Sequence, residues 1–119
     1  MTNHIETGKQ GELAARTFLE RKGFEILECN YRYSRAEVDL IAQYENLIVF
    51  VEVKARSDDY FGNPEDSVDD KKEELMAEAA ENYLAENNLE TEVRFDILSV
   101  LFKNNGTEIH HIEDAFFPY

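Results

Sequence analysis

Polar residues standing where a strand should be apolar are the most informative feature of this sequence. The run Leu47-Ile48-Val49-Phe50-Val51-Glu52-Val53-Lys54 is greasy until its end, where Glu52 and Lys54 emerge. Strand side chains alternate faces, so these two share a face with Ile48 and Phe50, while Val49, Val51 and Val53 take the other. Asp39 interrupts the preceding apolar run, Glu37-Val38-Asp39-Leu40-Ile41. With a tight turn at Glu45-Asn46, antiparallel pairing brings Asp39 alongside Glu52. Two ionised carboxylates at close range repel unless a cation lies between them. A hard divalent ion, Mg2+ first among them, takes such oxygens, keeps several waters and completes its shell from substrate phosphate. The Lys54 ammonium then stands ready to activate a water or to stabilise negative charge in a transition state. The same residues support a plainer reading, an Asp/Glu–Lys cluster satisfying itself as an ion pair at a strand end. Residue types alone leave both open.

The elements that must position these groups follow from periodicity. Residues 5–22 read as a helix, with Ala14, Ala15, Phe18 and Leu19 on one face and Gly23 closing it. Phe24 to Tyr31 is strand-like, Tyr33-Ser34-Arg35 a turn, Val38 to Tyr44 a second strand and Leu47 to Ala55 a third, forming an antiparallel meander. Phe61-Gly62-Asn63-Pro64 is loop by its turn residues. Ser67 is expected to cap a second helix, with Asp69, Asp70 and Glu73 favourable at the positive end of its dipole and Leu75 to Leu84 continuing at helical spacing. Val93 to Phe102 is a long strand, Asn104-Asn105-Gly106 a hairpin turn, and Glu108 to Ile112 a last short strand. The order is α-β-β-β-α-β-β, an α/β domain over residues 1–119, and the second helix permits a crossover to a parallel strand. On the first helix Glu12 lies beside Gly8 and Gly11, whose missing side chains allow close approach to a sheet. Spacing alone makes Glu12 a surface residue.

Charge limits the partners. The net charge is −14, which argues against a phosphate-binding surface. The two halves differ, however. Residues 1–56 hold 8 basic against 9 acidic residues, and residues 57–119 hold 4 against 17. A site built from the first half can keep a basic rim, and the acidic second half reads as a solvated face. No apolar run reaches the roughly 20 residues of a membrane helix. No secretory signal is visible at the N-terminus, and the lone Cys29 reads as a small buried apolar residue, so a cytoplasmic protein is expected.

Asp39, a twelve-residue gap and Glu52-Val53-Lys54 resemble the PD-(D/E)xK nuclease motif, with Val38 at the proline of that label. The resemblance extends along the chain to the bacterial YraN or UPF0102 family. It includes Gly8-x-x-Gly11-Glu12-x-x-Ala15, Gly23-Phe24-x-Ile26-Leu27, Asn30-x-Arg32 and Glu37-Val38-Asp39-Leu40-Ile41. It continues through Val49 to Lys54 with Arg56, Phe61-Gly62, Val68 with Lys72, Ala80, Tyr83-Leu84 and Arg94-Phe95-Asp96. This resemblance implies a restriction-endonuclease-like fold, a mixed five-stranded sheet flanked by helices. It also implies a likeness to archaeal Holliday-junction resolvases, whose site adds a helix glutamate to the Asp and Glu-x-Lys set. By that likeness Glu12, Asp39, Glu52 and Lys54 form a catalytic site, and Asp39, Glu52 and the Val53 carbonyl hold Mg2+ or Mn2+. Two departures stand out. Ala36 replaces the glycine that usually precedes the Glu-x-Asp segment. Glu73 and Glu74 stand where Gln or basic residues are common, which weakens the case for DNA binding by the second helix.

Arg32, Arg35, Arg56 and Lys72 are the candidate phosphate contacts, with solvated turn residues as the alternative for the three arginines. Tyr31, Tyr33 and Tyr60 can stack on bases or simply pack. His110 and His111 point to opposite strand faces and read as structural, and Phe116 to Tyr119 as a tail packed on the sheet. Three functions remain. One is a Mg2+-dependent nuclease for branched DNA, as a homodimer. The second is a catalytically idle nucleic-acid-binding or DNA-processing accessory module. The third is a protein-interaction module whose acidic half meets a basic partner.

Overall fold

The computed structural model describes residues 4–57 and 68–119. Its elements are α1 (His4–Arg21), β1 (Glu25–Tyr33), β2 (Ala36–Tyr44), β3 (Leu47–Ser57), α2 (Asp70–Glu86), β4 (Glu92–Lys103) and β5 (Gly106–Phe116). The strands form one sheet in the order β1-β2-β3-β4-β5. Pairing is antiparallel except at β3/β4, the parallel junction that α2 bridges. The fold is the expected restriction-endonuclease-like mixed α/β sheet, and the sequence order of elements holds.

Local chemistry sets the boundaries. Gly23, at φ 96, lets α1 end abruptly, with Gly23 N–H donating to Glu20 O (3.1 Å) and Phe24 N–H to Leu19 O (3.0 Å). Asp69, not Ser67, caps α2: its Oδ1 accepts the Lys72 N–H at 2.8 Å, which moves Asp69 out of the first turn. Ser67, Tyr60 and the Phe61–Pro64 loop lie outside the described residues. The last strand is longer than its sequence reading, because pairing with β4 continues past Ile112 across an irregularity to Phe116. Phe116 stacks on Phe95, so the tail does pack on the sheet there, although Phe117 remains exposed.

Each face of the sheet has its own core. Ile48, Phe50, Phe95 and Val38 pack against Met76, Ala79, Ala80 and Tyr83 of α2. Val49, Val51, Leu98 and Leu40 pack against Ala15 and Leu19 of α1, with the half-buried Cys29 at that cluster's margin. The alternation read for β3 is therefore realised: even positions meet α2, odd positions α1.

Two irregularities prepare the site. Pairing of β2 with β3 ends at Leu40 with Val51, whereas β3 continues beside β4 to Ser57 with Phe102. The sheet forks there: among the described residues, β2 pairs with β3 no further than Val51. In β1/β2, Cys29 pairs with Leu40 and Tyr31 with Val38, but the opposed residues between them, Asn30 and Asp39, drop out of the ladder. Leu40 belongs to the α1 core and Val38 to the α2 core, although they are two residues apart. The strands thus change faces at Asn30 and Asp39.

Candidate functional site

The fork is filled by a side chain. Asp39 Oδ2 accepts the Val53 N–H at 2.7 Å, taking an amide that lies beyond the last β2 partner. Beside it is Glu52, buried at 5% exposure at the end of the apolar run. Burial first, and the neighbouring Glu52 charge second, push the Asp39 carboxyl up to about 7, with a hydrogen bond to Glu52 adding to the rise. The Val53 amide and the Lys72 ammonium oppose that rise without cancelling it.

Glu52 is drawn toward α2. Lys72 Nζ approaches its Oε2 at 3.0 Å and Lys54 Nζ its Oε1 at 3.8 Å. The Lys72 ammonium meets Oε2 off a hydrogen-bonding line, so that buried oxygen has the ion pair but no hydrogen bond. Lys72, expected among the DNA contacts, is thereby turned inward. The periodicity of α2 put it on the helix but held no signal for this contact between the helix and the sheet.

On the other side of the fork a cleft of about 510 Å³ is lined by Asp39, Val53, Lys54, Ala55 and Arg56 with Glu12, Lys9 and Asn30. The helix reaches β3 because of Gly11: a Cβ there would lie 2.5 Å from Ala55 Cβ. Gly8 has no such neighbour, so one of the two expected glycine approaches is real. Glu12 faces the cleft, its Oε1 accepting from Asn30 Nδ2 at 2.9 Å. Five of the expected residues, Glu12, Asp39, Val53, Lys54 and Arg56, thus share one cleft, and Glu52 stands behind Asp39.

Arg32 and Arg35 are not among the cleft's lining residues. Arg32 is exposed and pairs with Glu37 at 3.4 Å, and Arg35 is exposed at the β1–β2 turn. Lys9 lines the cleft, and sequence reading passed it over because nothing in a helix pattern distinguishes it.

A second buried charge group holds the opposite end of α1. Asp96 is fully buried and accepts from Arg94 Nε and Nη2 (both 2.8 Å), the Asp114 N–H (3.0 Å) and His111 Nε2 (2.7 Å). Lys22 Nζ lies 2.8 Å from His111 Nδ1, and an ammonium only donates, so His111 carries its proton on Nε2. Burial works to raise the Asp96 pKa, but the bonds from His111, Arg94 and Asp114 outweigh it and hold the carboxyl below its ordinary value. His111 is structural, as its strand position indicated.

Among the described residues no three of His, Cys, Asp and Glu converge as a ready-made metal group. The Asp39–Glu52 pair nevertheless fits a hard cation. It offers adjacent oxygens, one buried without a hydrogen bond and one in a carboxyl that burial and the Glu52 charge raise to about 7. Mg2+ takes one or two carboxylates in this way. Among the described residues no helix is long and apolar enough to cross a membrane.

Fold and cleft together define a restriction-endonuclease-like α/β protein with a carboxylate–lysine group at a strand fork. The sequence matches the uncharacterised protein family UPF0102 over residues 11–100. It is 48% identical over 119 residues to a UPF0102 protein of Christiangramia forsetii, spanning 100% of both chains. It is 44% identical over 119 residues to one of Flavobacterium psychrophilum, again spanning 100% of both. A UPF0102 protein of Thermodesulfovibrio yellowstonii is 43% identical over 113 residues, 95% of this chain and 97% of that one. The chain belongs to the UPF0102 family.

Proposed function

We propose that this protein is a metal-dependent nuclease acting on DNA, with branched DNA as its substrate class. The observation that carries the reading is the pairing of Asp39 with buried Glu52 at the fork, with Lys54 and Glu12 facing the same cleft. Mg2+, or Mn2+ in its place, would supply Lewis acidity toward a phosphate oxygen and a more acidic water. Asp39, Glu52 and the Val53 carbonyl would hold it. Lys54 orients the attacking water and stabilises charge building on the phosphate. Glu12 accepts a proton from the same side, and Lys9 and Arg56 hold flanking phosphates. A homodimer would present two such clefts to a branched substrate.

The second reading, an idle DNA-processing accessory module, draws on Lys72. Its ammonium lies 3.0 Å from Glu52 Oε2, so two lysines already balance the two carboxylates. The acidic second half supports a basic protein partner by charge alone.

The deciding experiment is cleavage of single-stranded, duplex and branched DNA with Mg2+, Mn2+ or EDTA, beside an Asp39→Ala control. Metal-dependent cutting that Asp39→Ala abolishes upholds the nuclease. Binding without cutting in any metal favours the accessory module.

A further inference from the structure

Asn30 is a polar residue of the cleft that the nuclease reading leaves without a task. It sits inside β1, yet its φ is 54, the left-handed region that strand residues avoid. Asparagine enters that region more readily than other residues bearing a Cβ. The twist falls where β1 and β2 change faces, opposite Asp39, and both residues line the cleft. From there Asn30 Nδ2 donates to Glu12 Oε1 at 2.9 Å. A carboxylate only accepts, so the amide nitrogen must be the atom that faces it.

Residue chemistry narrows the choice at this position. Glycine suits the backbone but offers no donor. Aspartate suits the backbone but sets a second negative charge against Glu12. Alanine fails on both counts. Left-handed backbone and a neutral donor together select asparagine.

We propose that Asn30 is a positioning residue of the site: it fixes the Glu12 carboxylate, on α1, relative to Asp39, on β2, so that both address the same cation and the same water. The assignment rests on the nuclease reading and deepens it. One Glu12 oxygen is held by Asn30, leaving the other to the contents of the cleft. Because the bond is exposed, it contributes little to stability, and its loss leaves the fold standing.

The test uses Asn30→Gly, which keeps the backbone, and Asn30→Asp, which keeps the size but not the donor. In Asn30→Gly, kcat on branched DNA falls about tenfold with KM within about twofold, since the interaction serves the reaction rather than binding. In a Glu12→Ala background the same substitution changes kcat by less than about twofold, because Asn30 acts through Glu12. Asn30→Asp, which adds a carboxylate, is read by its kcat, expected to fall as in Asn30→Gly. Losses that multiply in the double variant overturn the proposal, as does full activity in Asn30→Gly or in Asn30→Asp.

Two readouts need no DNA. The Mg2+ dissociation constant of the protein alone, by calorimetry, rises about threefold or more in Asn30→Gly, where an unchanged constant overturns the proposal. The Asn30 side-chain amide protons, by NMR, resonate downfield in the wild type and return to free-amide positions in Glu12→Ala. Indifference to Glu12→Ala removes the hydrogen bond and the proposal with it. A wild-type protein that cuts no DNA, but passes both of these measurements, sinks the nuclease reading and keeps the assignment of Asn30.

Discussion

Asp39 takes the place of a strand for Val53. Its Oδ2 lies 2.7 Å from the Val53 nitrogen, at the point where β2 has left β3, so a side chain completes backbone pairing at the fork. The bond does two things at once. It satisfies a partly buried amide, and it holds the carboxylate beside Glu52, where burial and like charge make ionisation costly.

That cost sets a stability profile. The Asp39 pKa stands at about 7 in the folded chain against an ordinary 3.8, so the folded state holds this proton more tightly. Its contribution is complete below about pH 3.8 and is lost as pH rises through about 7. Asp39→Asn, a mimic of the protonated form, is therefore more stable than the wild type at pH 8–9, by on the order of 1–3 kcal/mol, with the gap closing toward pH 4. Urea unfolding across that range measures it. A gap that widens on acidification contradicts the assignment.

Proton and cation compete for the same oxygens. Apparent Mg2+ affinity should fall by up to about tenfold for each pH unit below 7 and level off above it. Calorimetric titration between pH 5.5 and 8.5 reads this. A flat profile removes Asp39 from the ligand set.

Gly11 sets how closely α1 lies on β3. Gly11→Ala brings a methyl to 2.5 Å from Ala55 Cβ and should cost about 1–3 kcal/mol, displacing Glu12 as the helix shifts. Adding Ala55→Gly to Gly11→Ala restores most of the loss. Thermal melts of the single and double variants decide the matter, and equal melts for Gly11→Ala and wild type would refute the contact.

The Asp96 group serves as a control for fold against function. Asp96→Ala leaves His111 and Arg94 without their buried partner and should cost about 3–5 kcal/mol. Its depressed pKa means that the stabilisation is present above the ordinary aspartate range and lost as pH falls through the folded value. Any activity per folded molecule, and the Mg2+ affinity, should be unchanged. A selective loss of either would mean that the two ends of α1 are coupled.

DNA affinity should depend shallowly on salt. Lys9 and Arg56 are the cations lining the cleft besides Lys54, so log affinity against log salt should slope near about −2 for duplex arms. Arg56→Ala should reduce that slope by about 0.9, and Arg32→Ala should not change it. Fluorescence titration at several salt concentrations separates the two.

The sheet was legible because apolar runs, turn residues and alternation all carried the same message, as Val49, Val51 and Val53 against Ile48 and Phe50 illustrate. Glu52 and Lys54 were legible for the converse reason: they break an apolar pattern at its end. The face change at Asn30 and Asp39 was not, because a left-handed backbone residue inside a strand leaves no trace in alternation read over a few positions. The inward turn of Lys72 and the His111–Asp96 bond are long-range contacts between elements, and no local spacing encodes them. Arg32 and Arg35 were placed by nearness along the chain, which the twist at Asn30 makes a poor guide to nearness in space.

The fork also bears on how copies of this chain behave toward one another. A strand edge with unpaired amides is a template for adding another strand, and therefore for aggregation. Here Asp39 occupies the Val53 amide, and Lys54 and Arg56 put charge on β3 beyond its last β2 partner. Flat stacking against a second edge would have to displace the carboxylate and bury both cations. The groups best suited to chemistry are thus also the guards of the edge, and a variant lacking both Asp39 and Lys54 would stay in solution less well than either single variant.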